Sequence, residues 1–445
     1  MANRVFEYLR KNWAKLYFTI SIAAIVFAYG FCVSHFGIFP HSVFMSAFDY
    51  YEYNQPRIKN EFPGLNPARY ESSGVVVNEE GRAYPGVTLI GVPWKEEKDW
   101  SHSVRLVDMN GNLLHKWTID PETIWDESPH QDLMRGKKST KFHTHIHGVV
   151  LLPEGHLVFN LSHYGLLRVN ACSQIIWKVP YRTHHSVYLD DNGDFWAAGE
   201  KWHKDPVEKF PGLSAPFIED TVVQVSRDGE IKREISILSS LYRSGYEGLL
   251  FASGRSQYKG DVTHNNDVEV LEKRMAGEFI GLNAGDIMVS LRNISTVLII
   301  DAETELVKWA MTHPFVWQHD PDFVQNGFII VYDNRPDPKK GNAPSFGGSR
   351  IIRVRPFTND VLTIFSSQAD NQFYSRGGGK VQQLGNGNLL ITEPYGGRVF
   401  EVTSEGNLVW SWVAEKWDDN DNRLPEVFCG SRYPESFADF PKNCS

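Results

Sequence analysis

Four histidines begin similar segments of this chain, and an imidazole can act as a nucleophile, a proton carrier or a metal ligand. Three segments read HGVVLLPEG, HSVYLDDNG and HDPDFVQNG, and their histidines, each eight residues before a glycine, are His147, His185 and His319. The fourth histidine, His264, begins HNNDVEVL, and a fifth segment, GKVQQLGNG, has Gly379 in place of the histidine. If such repeats pack around an axis, their histidines form a ring, so the pattern predicts an active site there.

Two further polar residues are expected beside His264. Arg292, in GDIMVSLRN, ends the strand that should pair with the His264 strand, and antiparallel pairing returns it to the face where His264 lies. Asn266 is two residues after His264, shares its strand face and supplies a neutral hydrogen-bond donor. Together with His185 and His319, these residues would form a cationic funnel suited to a tetrahedral oxyanion such as sulfate or phosphate.

The same imidazoles could instead hold zinc or copper, since both metals bind histidine. No HExxH motif and no neighbouring cysteine accompanies them, and Arg292 would repel a cation. The sequence therefore predicts no metal and no other cofactor, with a metal site as the alternative.

Other histidines lie close to the repeat in sequence. His143 and His145, in HTHIHG, fall outside its register and are expected in an entrance loop. His184 directly precedes His185, and adjacent side chains of a strand point to opposite faces. We expect His185 to face the site, although the doublet leaves the choice between the two open.

A second pattern, two apolar strands around a polar turn, recurs in six copies at residues 104–117, 166–179, 222–235, 297–310, 350–365 and 399–412. Alternating apolar residues with Asn-Gly or Asp-Gly turns are typical of antiparallel hairpins. Five copies follow one of the five segments above, and the first follows a similar hairpin without histidine at 74–92. Six units of four strands predict an all-β fold, a six-bladed β-propeller.

Turn lengths place the histidines at one end of this propeller. The turns within hairpins are tight, as in LPEG and MNG, whereas connections on the opposite face are long, at 118–142, 200–219, 236–263 and 335–349. Because the histidines begin the innermost strands, they open onto the face with the long connections, where function usually resides.

An apolar stretch without Lys, Arg, Asp or Glu runs from Leu16 to Phe48, and about 20 helical residues span a bilayer. Basic residues precede it and acidic residues follow it, which predicts a cytoplasmic N-terminus and a propeller on the periplasmic or extracytoplasmic side. A cleaved signal peptide, with a shorter apolar region, is the alternative. The predicted organisation is a cytoplasmic segment at 1–15, a transmembrane helix at 16–40, a linker at 41–70, the propeller at 71–412 and a tail at 413–445.

The composition is that of a folded protein with few cysteines. The chain has 445 residues, of which 42% are hydrophobic, and a net charge of −9 without a long basic block, which argues against a nucleic-acid partner. Cys32 lies in the apolar stretch and Cys172 in a predicted strand, so Cys429 and Cys444 are the candidates for a disulfide in an oxidising compartment.

Several motifs resemble the bacterial arylsulfate sulfotransferases that do not use nucleotide sulfate donors. The matching segments are DVTHNND at 261–267, SLRN at 290–293, WQHDPDFVQNGFIIVYDN at 317–334, SRIIRV at 349–354 and YPGVTLIGV at 84–92. The resemblance covers about residues 70–412.

This resemblance implies an extracytoplasmic six-bladed propeller that moves a sulfuryl group from an aryl sulfate to a phenol through a sulfohistidine. By motif position His319 would be the nucleophile, while His264, Asn266 and Arg292 would bind the sulfuryl oxygens and support the leaving phenolate. His185 matches the remaining catalytic histidine. His147 and Asn334 are expected to contact the substrate as well.

The chain departs from the family pattern in three respects. The N-terminal β-sandwich and the cysteine pair near the site are absent from the sequence, and Gly377–Gly379 replaces an expected hydroxyl residue. The alternatives are a metal-dependent propeller lyase or hydrolase and a non-enzymatic envelope propeller that acts as scaffold or ligand sensor. The sequence does not indicate the donor, the acceptor or the oligomeric state.

Overall fold

The computed structural model describes residues 2–41, 43–44, 47, 51, 62, 64–96, 99–125, 130, 141–142, 144–252, 260–337, 346–358, 360–369, 371–417, 422–442 and 444. The chain divides into two compact units, Met1–Glu61 and Phe62–Ser445.

The first unit contains one long helix, α1, over Ala2–Phe36. Its part from Lys11 to Phe36 is long and apolar enough to cross a membrane, and large apolar side chains such as Phe18 and Phe27 are exposed. The predicted transmembrane segment was 16–40, but the helix ends at Phe36 because Gly37 adopts a left-handed conformation with φ 62°. This helix fits the predicted single-pass membrane anchor.

The second unit is built from short strands joined mainly by antiparallel pairing. In chain order they are β1 (Leu65–Pro67), β2 (Gly74–Asn78), β3 (Val87–Lys95), β4 (Trp100–Val107), β5 (Leu113–Ile119), β6 (Ile146–Leu151), β7 (Leu157–Leu161), β8 (Gly165–Val169), β9 (Ile175–Val179), β10 (Thr183–Leu189), β11 (Phe195–His203), β12 (Phe217–Val225), β13 (Ile231–Ser236), β14 (Gly260–Asp261), β15 (Asn265–Val270), β16 (Ile287–Leu291), β17 (Thr296–Ile300), β18 (Val307–Met311), β19 (His319–Val324), β20 (Phe328–Asp333), β21 (Arg350–Val354), β22 (Val361–Ser366), β23 (Lys380–Gln383), β24 (Leu389–Glu393), β25 (Arg398–Val402), β26 (Leu408–Val413), β27 (Arg423–Pro425) and β28 (Cys429–Tyr433).

Six sheets of these strands form the blades of a propeller. From the axis outward, blade 1 is β28-β3-β4-β5, blade 2 is β6 to β9, blade 3 is β10 to β13, blade 4 is β15 to β18, blade 5 is β19 to β22 and blade 6 is β23 to β26. Each innermost strand contacts the innermost strand of the next blade, and β28 contacts β6, which closes the ring. The predicted all-β, six-bladed propeller is confirmed.

The first blade is assembled differently from the prediction. The proposed hairpin at 74–92 is wrong, because β2 pairs with β26 as a fifth, outermost strand of blade 6, whereas β3 belongs to blade 1. The innermost strand of blade 1 is β28, which lies within the segment 413–445 that was predicted to be a tail. Strands from both ends of the propeller sequence therefore hold the ring together.

Short helices lie in the connections between strands. They are α2 (Pro121–Ile124), α3 (Ile237–Arg243), α4 (Gly248–Phe251) and α5 (Lys273–Ala276), with 3-10 turns at Arg292–Ile294, Gln325–Gly327, Pro394–Gly396 and Glu435–Ala438. The Ser236 hydroxyl caps α3 by accepting from the backbone N–H of Ser239 at 3.1 Å, as serine commonly does at helix starts.

Apolar side chains fill the space between neighbouring blades, and tryptophans of outer strands add a hydrogen bond there. The Trp117 indole of blade 1 donates to the Gly155 carbonyl of blade 2 at 3.0 Å. Likewise, Trp177 of blade 2 donates to the Arg227 carbonyl of blade 3 at 3.0 Å. The closing pair is Trp410 of blade 6 and the Met109 carbonyl of blade 1, at 2.9 Å.

The disulfide differs from the expected pairing. Cys444 is bonded to Cys172, in the turn between β8 and β9, and not to Cys429. Cys429 is free and buried because it belongs to β28, where its sulfur packs against Gly91 of β3. The bond therefore ties the C-terminal segment to blade 2.

Candidate active site

Four histidines meet where the innermost strands of blades 2 to 5 begin. The rings of His147 and His185 are 4.4 Å apart between centroids, and those of His185 and His264 are 4.9 Å apart. His185 also lies 6.2 Å from His319. The ring of imidazoles that the repeat predicts is thus present at the propeller axis.

A β-bulge recurs at the start of each of these four strands and directs the histidines. The pairing register shifts after His147, His184, Asn265 and His319 in blades 2, 3, 4 and 5. A bulge bends its strand and redirects the side chains around it. Positive φ accompanies each bulge, at Gly148 (56°), His185 (57°), His264 (54°) and Asp320 (49°). Non-glycine residues in this conformation cost about 1 kcal/mol or more and concentrate at functional sites.

A cavity of about 440 Å³ occupies the centre of this ring. Its lining includes five of the residues selected from sequence: His147, His185, Asn266, Arg292 and His319. His264 and Asn334 do not border the cavity, and each lies behind it in contact with another site residue. His145 also borders it, stacked on Phe428 with centroids 4.6 Å apart, whereas His143 lies outside the described residues.

His319 is held in one tautomer by a neutral amide. The Asn334 side chain donates through Nδ2 to the carbonyls of Ser375 and Gly378 at 3.0 and 2.7 Å. Its Oδ1 therefore faces His319 and accepts the Nδ1–H at 2.7 Å. The remaining lone pair, on His319 Nε2, accepts the backbone N–H of Gly378 at 3.2 Å. Burial, with Arg292 nearby, lowers the pKa of His319 to about 3, so the ring is neutral at pH 7.

His264 is held instead by a carboxylate. Its Nδ1 bonds to Asp261, and its backbone carbonyl accepts from the Arg292 N–H at 3.1 Å, which links the two residues as antiparallel pairing predicts. Burial lowers the pKa of His264, while Asp261 acts in the opposite direction. Although burial would raise the pKa of Asp261, His264 holds it below its usual range.

Arg292 and Asn266 carry the polar groups beside these rings. The Arg292 guanidinium donates to Asn293 Oδ1 at 3.2 and 3.1 Å and lies over the Trp317 ring, 5.6 Å from its centroid. Asn266 donates to the Gln318 carbonyl at 2.8 Å. Its Oδ1 is buried without a hydrogen-bond partner in the described residues, whereas the expected donor, Nδ2, is engaged by Gln318.

The histidine doublet places His185 in the cavity lining and His184 behind it. The Nδ1 atoms of the two rings are 2.8 Å apart, so one donates to the other. The Nε2 of His184 is 3.7 Å from Glu200 and 3.9 Å from Asp220. Burial lowers the pKa values of both rings, to about 3 for His184, and that of His147 as well. These imidazoles are therefore neutral at pH 7.

Sequence reasoning missed four ionisable groups that also line the cavity, Asp267, Asp320, Lys380 and Glu426. Lys380 Nζ binds Asp320 at 2.7 Å. Burial and the neighbouring Asp320 raise the pKa of Asp267 to about 8, so its carboxyl is neutral at pH 7. Asp267 lies three residues after His264, and Asp320 directly follows His319. These positions within the motifs were the sequence features that could have identified them as site residues. Strand alternation alone could not show that the bulges turn them inward.

The glycine run of blade 6 supplies backbone where a hydroxyl side chain was expected. Gly379 has φ 116°, and a Cβ there would lie 2.6 Å from the Tyr332 ring. A larger residue at this position is therefore incompatible with the packing of Tyr332. Gly378 contributes its N–H to His319 instead.

Fold and site together define a six-bladed propeller with an axial cavity that is lined by neutral imidazoles and one guanidinium. A family profile described as arylsulfotransferase (ASST) matches residues 148–415, which is more than half of the chain. The chain belongs to this family, and membership assigns it to the sulfotransferase enzymes. No curated protein matches this chain.

The chain is also similar to several solved structures at low identity. A protein of unknown function from Bacteroides caccae has 12% identity and a TM-score of 0.40, over 74% of this chain and 94% of that one. Virginiamycin B lyase from Staphylococcus aureus has 11% identity and a TM-score of 0.35, over 61% and 71%. The WD40 propeller domain of Doa1 has 11% identity and a TM-score of 0.41, over 84% and 99%.

Proposed function

We propose that this protein transfers a sulfuryl group from an aryl sulfate to a phenol through a covalent intermediate on His319. The observation that supports this most directly is the Asn334–His319 hydrogen bond, since it keeps a proton on Nδ1 and a lone pair on Nε2. A neutral imidazole in this form is a good nucleophile at pH 7.

In the first half-reaction, Nε2 of His319 gives up its hydrogen bond from the Gly378 N–H and attacks the sulfur of the aryl sulfate. The bond between sulfur and the aryl oxygen breaks, and the phenolate leaves with that electron pair and takes a proton from water. Because Nδ1 keeps its proton, the product ring is a positively charged imidazolium that bears the sulfonate. Such an N–S bond is labile and can pass the group onward.

In the second half-reaction, the oxygen of an acceptor phenol attacks the sulfur. The N–S bond breaks, its electron pair returns to Nε2, and the phenol proton is released to water. The enzyme therefore returns to its starting form, with one proton released for each one taken up.

Arg292 and the neighbouring side chains would stabilise the charge of the transferring group. Sulfuryl transfer, like phosphoryl transfer, spreads charge over three equatorial oxygens in a loose transition state. We assign Arg292, Asn266 and His185 to those oxygens, with His147 as a further contact. His264, behind the cavity, positions Arg292 and His185, which it contacts. The raised pKa of Asp267 favours its uncharged carboxyl, and the Asp320 carboxylate beside it is paired with Lys380 at 2.7 Å. Losing one preorganised donor typically costs about 3–4 kcal/mol of barrier, roughly two to three decades in rate.

We place the propeller on the extracytoplasmic side, with residues 1–15 in the cytoplasm and α1 as the anchor. Basic residues before the apolar stretch favour this orientation. The Cys172–Cys444 disulfide supports it, since disulfides persist mainly in oxidising compartments such as the periplasm.

Trapping the intermediate tests the proposed function. Purified protein is incubated with 4-nitrophenyl sulfate, with and without phenol, and peptides containing His319 are examined by mass spectrometry. We expect one added sulfuryl group on His319 with the donor alone and its loss when phenol is added. His319→Ala should abolish transfer.

His156→Ala is the matched control, because His156 lies outside the cavity and contacts Glu154 and Arg168. It should keep parental activity. Transfer by His319→Ala within tenfold of the parent would contradict the assignment, and binding of aryl sulfates without any turnover by the parent would instead favour a ligand sensor.

A further inference from the structure

A second cavity, of about 470 Å³, lies next to the axial cavity. Tyr395 borders both cavities and therefore forms part of the wall between them. One continuous chain segment lines both cavities. Its residues Tyr374 and Arg376 border the second cavity, and Gly377–Gly379 border the axial cavity. The two cavities are neighbours along one continuous surface.

This wall is connected to the proposed nucleophile by hydrogen bonds. The Tyr395 backbone N–H donates to Ser375 Oγ at 3.3 Å, and the Ser375 carbonyl accepts from Asn334 at 3.0 Å. Asn334 in turn binds His319. A ligand held against Tyr395 from the second cavity would thus sit beside the residues that position His319.

The second cavity combines aromatic faces with guanidinium groups. Tyr374 and Tyr395 provide the rings, and Arg376 is exposed and lies over Tyr395, 4.7 Å from the ring centroid. Arg69 contributes a second guanidinium that is held by Glu393 at 3.0 Å and by the Tyr374 carbonyl at 2.7 Å. Its lining within the described residues contains no Asp or Glu.

This chemistry favours a planar ring that carries a negative charge. Aromatic side chains bind rings through offset or edge contacts, and a guanidinium binds a carboxylate or sulfate through paired hydrogen bonds. The cavity volume lies within the range of roughly 300–1,000 Å³ found for small-molecule sites. Glu393, behind the wall, is engaged by Arg69 and by the Tyr70 hydroxyl. Glu426, on the side of the axial cavity, accepts from Asn66 at 3.2 Å.

We propose that the second cavity binds the aryl group of a phenolic substrate with an anionic ring substituent, with Arg376 as the ligand of that substituent. This inference rests on the proposed sulfuryl transfer and adds the substrate class to it. Tyr374 and Tyr395 contact the ring, while the phenolic oxygen points past Tyr395 toward the axial cavity. Arg376 determines specificity and takes no part in the chemical step.

Acceptor kinetics test this assignment. With 4-nitrophenyl sulfate as donor, phenol and 4-hydroxybenzoate are compared as acceptors for the parent and for Arg376→Met, which keeps the length of the side chain and removes its charge. We expect the KM for 4-hydroxybenzoate to rise about 10-fold or more, because a charged hydrogen bond is lost, while the KM for phenol changes less than about 2-fold.

Arg355→Met is the control, because Arg355 is a half-buried arginine that is also stacked on an aromatic ring, 4.0 Å from the centroid of Phe328, and it borders neither cavity. It should leave both KM values unchanged. Equal effects of Arg376→Met on the two acceptors, or no effect on either, would overturn the assignment while leaving the proposed transfer intact.

A binding measurement separates this inference from the proposed function. Benzoate binding to the His319→Ala variant, followed by NMR, requires no turnover. Binding that weakens when Arg376→Met is added supports the subsite even if the parent transfers no sulfuryl group. Benzoate binding that is unaffected by Arg376→Met overturns the subsite whatever the outcome of the activity assay.

Discussion

At the scale of single residues, two histidines of the site differ in the partner that holds Nδ1. His319 binds the neutral amide of Asn334, whereas His264 binds the carboxylate of Asp261. A carboxylate favours protonation of its imidazole partner and an amide does not. The structure thus assigns the neutral environment to the residue that we propose as nucleophile.

This contrast leads to a prediction about pH. We expect the rate constant of the first half-reaction to stay nearly constant from neutral pH down to about pH 5, because a histidine is a nucleophile only when deprotonated. The pKa of His319 is lowered to about 3, so protonation inactivates it only as the pH falls toward that value. Stopped-flow measurement of 4-nitrophenol release, followed at a wavelength where its neutral and ionised forms absorb equally, checks this at each pH. A decrease centred near pH 6.5 would contradict it.

Replacing Asn334 tests its role in positioning His319. Asn334→Ala should lower kcat about 100-fold with little change in KM, because it removes the fixed tautomer and ring orientation but not a substrate contact. Asn388→Ala is the control, since Asn388 is also buried but bonds to Arg82 and Glu401 in blade 6. A change in KM alone would restore the original interpretation of Asn334 as a substrate-binding residue.

The sequence identified most of the residues of the site, but it predicted only part of their arrangement. Repeated spacing located the histidines, and antiparallel pairing placed Arg292 beside His264. Asn334 was expected to contact the substrate. Its position beside Nδ1 of His319 follows from the pairing of His319 with Tyr332 and the bulge in β19, which the sequence did not reveal. Bulges depend on tertiary packing and leave no simple pattern of alternation.

At the scale of structural elements, tryptophans couple neighbouring blades through the hydrogen bonds of Trp117, Trp177 and Trp410. Each indole comes from the outer hairpin of one blade and reaches a turn carbonyl of the next. These bonds occur at three of the blade interfaces in the described residues, including the one where the ring closes between blades 6 and 1.

Removal of the bond at the closing interface should lower stability measurably. Trp410→Phe keeps most of the apolar contact and removes one of two donors to the Met109 carbonyl, which still accepts from Asn78 at 3.1 Å. Loss of one such hydrogen bond typically costs about 1 kcal/mol. Thermal unfolding followed by circular dichroism measures the effect. Trp309→Phe is the control, because Trp309 lies in an outer strand but has no such indole bond in the described residues, and an equal loss would show that ring size alone matters.

Hairpins were predictable as elements because each one carries its own turn signal and alternation. The grouping of the terminal strands into blades 1 and 6 could not be predicted in this way. β28 has the sequence CGSRY, without the initial histidine or a hairpin turn, and its partner β3 is more than 300 residues away in the chain. Pairing across such a separation depends on the closed ring, so local patterns assigned β2 and β28 incorrectly.

At the scale of the whole molecule, one disulfide joins Cys172 to Cys444 across most of the propeller sequence. Linking distant positions restricts the unfolded chain, which typically stabilises a protein by about 2–4 kcal/mol. We expect Cys444→Ser to lower the melting temperature by several degrees, with the same decrease for Cys172→Ser and for the double variant, because all three remove one bond. Cys32→Ser, at a free cysteine of α1, should have no effect, and additive losses in the double variant would contradict the bond.

The innermost strand of blade 1 has a consequence for how the protein is made. Strand β28 begins at Cys429, after the last strand of blade 6 has ended at Val413, so it is the last blade strand to be synthesised. Until it is added, the ring is open and the edge of β3 is unpaired. Unpaired edges invite association with other chains. Synthesis that stops before this strand yields a molecule with all four histidines of the candidate site but without a closed ring.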